Sequence, residues 1–153
     1  GAPVIPGVQI ADLTTGIMTV TAILAALLAR ERMGKGQYID VSFLDTVASL
    51  IVLPAAFYVG DGKSPMRDEW LLNGGFPCYN VYEVKDGNYI TIGCLEEEFW
   101  ANLCRALGVT DFIGHQYTTD DAKLKEMFQT FKKIFKTRTV TDWVKLLSKE
   151  DVP

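Results

Sequence analysis

The sequence predicts a mixed chain, part α/β and part α+β, and three patterns carry that expectation. From Thr14 to Met33 runs a stretch of Ile, Leu, Val, Ala and Met with no polar stripe, the mark of a helix buried on every side. Tyr38 to Phe43 alternates Ile39, Val41 and Phe43 with Tyr38, Asp40 and Ser42, as a short strand with one buried face does. After Gly60-Asp61-Gly62-Lys63-Ser64-Pro65 the texture changes to two strand-like runs and then amphipathic helices, the make-up of a small α+β unit. The break predicts two domains, 1–60 and 61–153.

Each element has its own signals. Residues 1–8 are a Pro/Gly-rich extended lead-in. The long helix closes at Gly34, with Arg30, Arg32 and Lys35 where the negative end of the helix dipole favours cations. Gly34-Lys35-Gly36 follows a helix instead of preceding one, so it reads as a C-cap turn and not as a phosphate loop. Ser42-Phe43-Leu44-Asp45 has the capping-box pattern and opens a second apolar helix over Leu44 to Tyr58. Tyr79 to Val84 and Tyr89 to Cys94 form a hairpin across Lys85-Asp86-Gly87-Asn88. Three helices complete the chain. Glu96 to Leu107 packs through Phe99, Leu103 and Leu107. Asp120 to Lys136 turns Leu124, Met127, Phe128, Phe131, Ile134 and Phe135 inward. Thr141 to Lys149, capped by Thr139 or Thr141, packs through Trp143, Leu146 and Leu147.

Composition narrows the function classes. An apolar share of 48% and a charged share of 22% are those of a globular protein with a real core. A net charge of −4, with no basic patch carrying interleaved aromatics, argues against nucleic acid as a partner. Ile17 to Ala29 is about 13 residues of apolar run, short of the roughly 20 that span a bilayer, so a core helix is expected and no membrane partner. Three cysteines (Cys78, Cys94 and Cys104) lack metal-type spacing and suggest inert thiols in a reducing, cytoplasmic compartment. One histidine, His115, leaves little material for a metal site. The start without Met and the stop at Asp151-Val152-Pro153 suggest a fragment.

Asp12 stands out because it lies at the mouth of the apolar helix. A carboxylate there faces the positive end of the helix dipole and unpaired N–H groups. Two readings stay open: an N-cap that serves stability alone, and a nucleophile or base at the edge of a core. Asp40 and Asp45 read as structural.

Taken together, these segments resemble the CaiB/BaiF group, the family III CoA-transferases that include the α-methylacyl-CoA racemases. The resemblance rests on Pro6-Gly7-Val8-Gln9-Ile10-Ala11-Asp12-Leu13-Thr14-Thr15-Gly16, on Gly34-Lys35-Gly36-Gln37-Tyr38-Ile39-Asp40-Val41-Ser42, on Gly74-Gly75-Phe76-Pro77-Cys78-Tyr79, on Asp86-Gly87, and on the run from Gly93 to Trp100. It implies a family III fold in which a long buried helix and a strand of the large domain precede a small α+β domain with a hairpin and three helices. It also implies that Asp12 is the active-site carboxylate. In a transferase such a group attacks the acyl-CoA thioester, forming a mixed anhydride and releasing CoA thiolate. In a racemase it works on the proton α to the thioester carbonyl.

The segment from Gly74 and the run from Gly93 look more like the racemase branch. By that resemblance Glu96 is the second catalytic carboxylate, orienting a histidine that the family carries upstream of the Asp12 motif. Acids in a first helical turn are also what the dipole favours, so a structural Glu96 stays open. Thr14-Thr15 departs from the racemases, which carry a glycine cluster there. The first expectation is therefore epimerisation of 2-methylacyl-CoA thioesters. CoA transfer between carboxylic acids is the second, and a non-catalytic dimerisation module the third. Arg30 and Lys35 are candidates for the CoA phosphates. His115 matches no family motif and reads as a loop residue. The resemblance further implies an acyl-CoA substrate with no tightly bound cofactor or metal. It implies an interlinked homodimer whose sites lie between one subunit's large domain and the other's small domain.

Overall fold

The computed structural model describes residues 5–64, 66 and 68–153. The chain divides at Pro65/Met66 into two compact units, described here one at a time.

The first unit is helical. Helix α1 spans Ile10–Met33. Gln9 is its N-cap without a side-chain bond, and the Leu13 N–H donates to the Gln9 carbonyl at 3.0 Å. Asp12 therefore lies inside the first turn, not ahead of the helix as its sequence position suggested. Gly34 ends α1 with φ of 70°, its N–H donating to the Arg30 carbonyl at 2.8 Å. That left-handed turn is one glycine enters without steric cost.

Burial corrects the sequence reading of α1. Thr15 is its one buried residue, while Ile17 (69%), Val20 (56%) and Leu24 (61%) stand open. The reason is a shortage of partners within the unit. The eight-residue helix α2, Phe43–Leu50, packs on α1 and is too short to cover more than a strip of a 24-residue cylinder. At 24 residues α1 is also longer than the apolar run alone indicates. By length and composition it could cross a bilayer, as could α2 and α3 if taken together.

Two further expectations change. No strand forms over residues 38–43; Ile39 and Val41 are half-buried, but among the described residues the first unit has no neighbouring strand to supply a ladder. The second apolar helix is two helices, α2 and α3 (Val52–Asp61), bent by 63° around Ile51. Pro54 explains the bend. It has no N–H for the Leu50 carbonyl, and its ring would collide with that oxygen, so it is accommodated only in the first turn of a new helix. Ser42 caps α2 as expected, its hydroxyl accepting from the Asp45 N–H at 3.2 Å.

The second unit holds the core. Strands β1 (Tyr79–Glu83) and β2 (Tyr89–Gly93) pair antiparallel, with Asn80 opposite Ile92 and Tyr82 opposite Ile90. Helices α4 (Glu97–Leu107), α5 (Asp121–Phe135) and α6 (Val140–Leu147) follow, with short 3-10 turns at Leu71–Asn73 and Thr110–His115. Tyr82 stacks on Phe135 at 4.7 Å, Trp100 on Phe131 at 5.4 Å, and Trp143 meets Phe135 edge-on at 5.1 Å. Such pairs add about 0.5–1.5 kcal/mol each beyond area burial. The buried polar tips are satisfied. Trp100 Nε1 donates to the Phe112 carbonyl at 3.0 Å, Trp143 Nε1 to Phe135 at 2.9 Å, and the Tyr82 hydroxyl to Pro77 at 2.8 Å.

Ahead of β1 the chain makes a tight fold at Gly74-Gly75. A side-chain carbon on Gly75 would lie 2.6 Å from the Trp70 nitrogen and 2.8 Å from the Trp70 oxygen, and both are backbone atoms. Only glycine fits there.

Candidate active site

Asp12 is the third residue of α1, exposed to solvent, and among the described residues its carboxylate has no hydrogen-bond or ion-pair partner. A carboxylate in the first turn lies near the unpaired N–H groups and positive end of the dipole. One helical turn further on, the Thr14 hydroxyl donates to the Ile10 carbonyl and the Thr15 hydroxyl is buried without a partner. Thr15, three residues on, shares the helix face of the acid, whereas Thr14, two residues on, does not.

Arg30 and Lys35 are exposed at the other end of the same helix. Arg30 is eighteen positions from Asp12, about 27 Å at 1.5 Å per residue. The cations and the carboxylate therefore cannot meet the same reacting atom.

In the second unit Glu96 is the N-cap of α4, one position ahead of the first turn where sequence placed it. Its side chain makes no capping bond and is exposed. Its carbonyl receives the Trp100 N–H at 3.0 Å, which fixes the helix start. The peptides leading into Glu96 are held from outside the helix. Gln116 is 5% exposed, and its Nε2 lies 2.9 Å from both the Cys94 and the Leu95 carbonyl oxygens and 3.1 Å from the Tyr117 hydroxyl. The Tyr117 hydroxyl in turn donates to the Leu95 carbonyl. Burial, Cys78 and the charge of Glu96 together hold the Tyr117 phenol above its ordinary pKa. Beside this clamp is a cleft of about 490 Å³ whose lining includes Leu95, Glu97, Ile113, His115, Tyr117 and Thr119. His115 is exposed in that lining.

The three cysteines are free and buried. Burial pushes the Cys78 thiol up to about 11 and the Cys94 and Cys104 thiols up to about 12, so all three stay protonated and unreactive near neutral pH. The Cys94 N–H donates to the Cys78 carbonyl at 2.8 Å, continuing the hairpin ladder one pair beyond β1 and β2.

Residues 1–153 match the family model for CoA-transferase family III. The chain belongs to this family. As a family III chain it is 31% identical, over its whole length, to succinyl-CoA:glutarate CoA-transferase of Mus musculus. It is 30% identical, over 89% of its length, to α-methylacyl-CoA racemase of Homo sapiens. It spans about a third of these relatives, 36% and 35% of their lengths. A crystallised CaiB/BaiF family protein from Brucella suis matches the full chain at 29% identity with a TM-score of 0.71, the chain covering 41% of it. A Mycobacterium tuberculosis structure matches at 24% identity and a TM-score of 0.76, which speaks for the fold alone.

Within this family III chain, Asp12 belongs to the first unit and Glu96 to the second. Sequence reading named both and missed Gln116 and Tyr117. A Gln in a loop gives no pattern to read; only tertiary contact reveals that its amide is buried against two carbonyls.

Proposed function

We propose that this chain carries the acidic residues of an acyl-CoA thioester enzyme, with Asp12 acting at the thioester end of the substrate. The observation that carries the reading is the exposed, unpaired Asp12 carboxylate in the first turn of α1, in a chain of family III. A nucleophile or base needs an accessible oxygen not already committed to a hydrogen bond.

The favoured reaction is epimerisation at the α-carbon of a 2-methylacyl-CoA. A carboxylate takes the α-proton, the charge moves to the thioester oxygen, and a proton returns to the opposite face. The resemblance of the segments from Gly74 and Gly93, the latter carrying Glu96, supports this branch. The part of Glu96 is to orient the family's acid–base histidine. The second reading is CoA transfer, supported by similarity to a succinyl-CoA:glutarate CoA-transferase along the entire chain. There an Asp12 oxygen attacks the thioester carbon, the C–S bond breaks, CoA thiolate leaves, and an aspartyl mixed anhydride remains for the acceptor acid.

Arg30 and Lys35 are read as contacts for the CoA phosphates. The substrate is a CoA thioester, with no tightly bound cofactor and no metal. The reading includes a homodimer in the cytoplasm, supported by the open apolar surface of α1 and by three free, buried thiols. It involves neither nucleic acid nor a membrane.

The deciding experiment uses the intact polypeptide in D₂O with a single enantiomer of 2-methylacyl-CoA. Epimerisation predicts α-deuterium uptake that Asp12→Ala abolishes. Transfer predicts a new thioester when an acyl-CoA is mixed with a free dicarboxylic acid. If neither occurs, and Asp12→Ala changes only thermal stability, the carboxylate is structural and the enzymatic reading fails.

A further inference from the structure

We propose that Gln116 and Tyr117 are positioning residues for Glu96, an inference that rests on the functional reading of Glu96 given above. The carbonyl of Leu95 belongs to the peptide whose nitrogen is that of Glu96, so its orientation sets the direction in which the Glu96 Cα–Cβ bond leaves the backbone. That oxygen has two acceptor sites, and two donors reach it: Gln116 Nε2 at 2.9 Å and the Tyr117 hydroxyl. The preceding carbonyl, of Cys94, is held by the same amide at 2.9 Å. Two successive peptide planes entering Glu96 are thereby held by a side chain 22 and 21 residues further along the sequence.

The clamp is itself braced. Gln116 Nε2 also lies 3.1 Å from the Tyr117 hydroxyl oxygen, and since its two N–H groups face three acceptors, one of them is shared between neighbours. The Tyr117 ring meets Phe76 edge-on at 5.6 Å, tying it to the segment that leads into β1. Helix packing alone accounts for neither arrangement. Glu96 is the N-cap, and its outgoing side is already set by the Trp100 N–H bond to its own carbonyl. On the incoming side Gln116 and Tyr117 hold the two carbonyl oxygens, while the Leu95 N–H donates to the Gly93 carbonyl at 3.2 Å. These bonds satisfy two carbonyl oxygens that burial would otherwise leave unpaired, and they also give a carboxylate that must meet a partner group within a few tenths of an ångström a fixed backbone to leave from.

The test is a double-mutant cycle on the intact enzyme, with α-deuterium uptake into 2-methylacyl-CoA as the rate and Trp fluorescence melting as the stability control. Tyr117→Phe keeps the ring and its contact with Phe76 and removes only the hydroxyl. Gln116→Met keeps the volume and removes both donors. The expected result is a roughly 10- to 100-fold fall in kcat with KM within about twofold, as for a catalytic group shifted by about 1 Å. The fall should vanish when either change is made in a Glu96→Gln background. If Tyr117→Phe slows the reaction by the same factor with and without Glu96, the clamp acts independently of that residue and the proposal is wrong. If Glu96→Gln is impaired while Tyr117→Phe and Gln116→Met both turn over normally, the proposal fails and the role of Glu96 stands. If Glu96→Gln is silent in an enzyme that epimerises, the functional reading of Glu96 fails first and the positioning role falls with it.

Discussion

Glu96 holds a position where a different residue would make a more stable protein, and that conflict can be measured. As the N-cap of α4 it makes no side-chain bond, whereas Asp, Asn or Ser at such a site would accept from the N–H two or three residues on. Glu96→Asp keeps the charge at the positive end of the helix, so the dipole contribution is retained. It supplies the missing capping bond, worth about 1 kcal/mol. For a unit of roughly 90 residues, 1 kcal/mol raises the melting temperature by about 4–8 °C. The same change draws the carboxylate back by about one bond length, ~1.5 Å, a displacement that costs on the order of 100-fold in rate when the group is functional. Thermal unfolding followed by the emission of the buried Trp100 and Trp143 gives the first quantity, and α-deuterium uptake by the intact enzyme gives the second. A more stable and much slower variant is expected. A less stable variant would refute the capping argument, and an unchanged rate would refute the functional one.

Three other outcomes follow from particular contacts. Gly75→Ala places a methyl group 2.6–2.8 Å from backbone atoms of Glu69 and Trp70 that have no side chain to yield, so a loss of about 1–3 kcal/mol in urea unfolding is expected; a neutral effect would mean that this turn relaxes freely. The thiols give an alkaline limit. They ionise near 9.0 when unfolded but only at about 11 to 12 when folded, so between those values the native state binds more protons. Stability is then intact below about pH 9 and falls as pH rises toward 12, and Cys94→Ala should make the fall shallower. The isolated chain should self-associate through α1, whose Ile17, Val20 and Leu24 are open to water; light scattering at micromolar concentration should show oligomers that Ile17→Lys with Leu24→Lys dissolves, and a clean monomer of the unaltered chain would contradict this.

What the sequence made legible was local. The hairpin was readable from period-two alternation around Asp86-Gly87, and α5 from the spacing of Met127, Phe131 and Phe135, which are its buried residues. The C-cap at Gly34 and the cap at Ser42 were readable because each is a property of one residue in one turn. Most of the failures were questions of partnership. The Thr14 to Met33 composition is that of a buried helix, but burial needs covering surface that the first unit does not contain. Ile39, Val41 and Phe43 alternate as a strand should, yet pairing requires a second strand beside them. The break between α2 and α3 lay in plain sight at Pro54 and was masked by apolar residues on both sides. Motif order singles out Asp12 and Glu96 as candidates, whereas nothing in the sequence points to Gln116, whose amide is buried against two carbonyls 22 and 21 residues earlier in the chain.

The chain also supplies its own control for the two acids. An acidic residue at a helix start is ordinarily explained by capping, and two helices here show what that looks like. Asp120 accepts from the N–H groups of Ala122 and Lys123 at 2.9 and 3.2 Å, opening α5. Asp142 takes a 2.7 Å bond from the Thr139 hydroxyl in a reciprocal capping box, and that bond holds its carboxyl below the usual range. Both side chains are committed to the backbone or to a neighbour, as stability requires. Asp12 and Glu96 occupy comparable starts, of α1 and α4, and neither makes any such bond. The same polypeptide that commits carboxylates at the starts of α5 and α6 leaves these two without such a bond, so what they give their helices is the charge–dipole interaction alone. Both belong to segments that match a family acting on CoA thioesters, and an uncommitted, solvent-facing carboxylate is the form in which such a group can act.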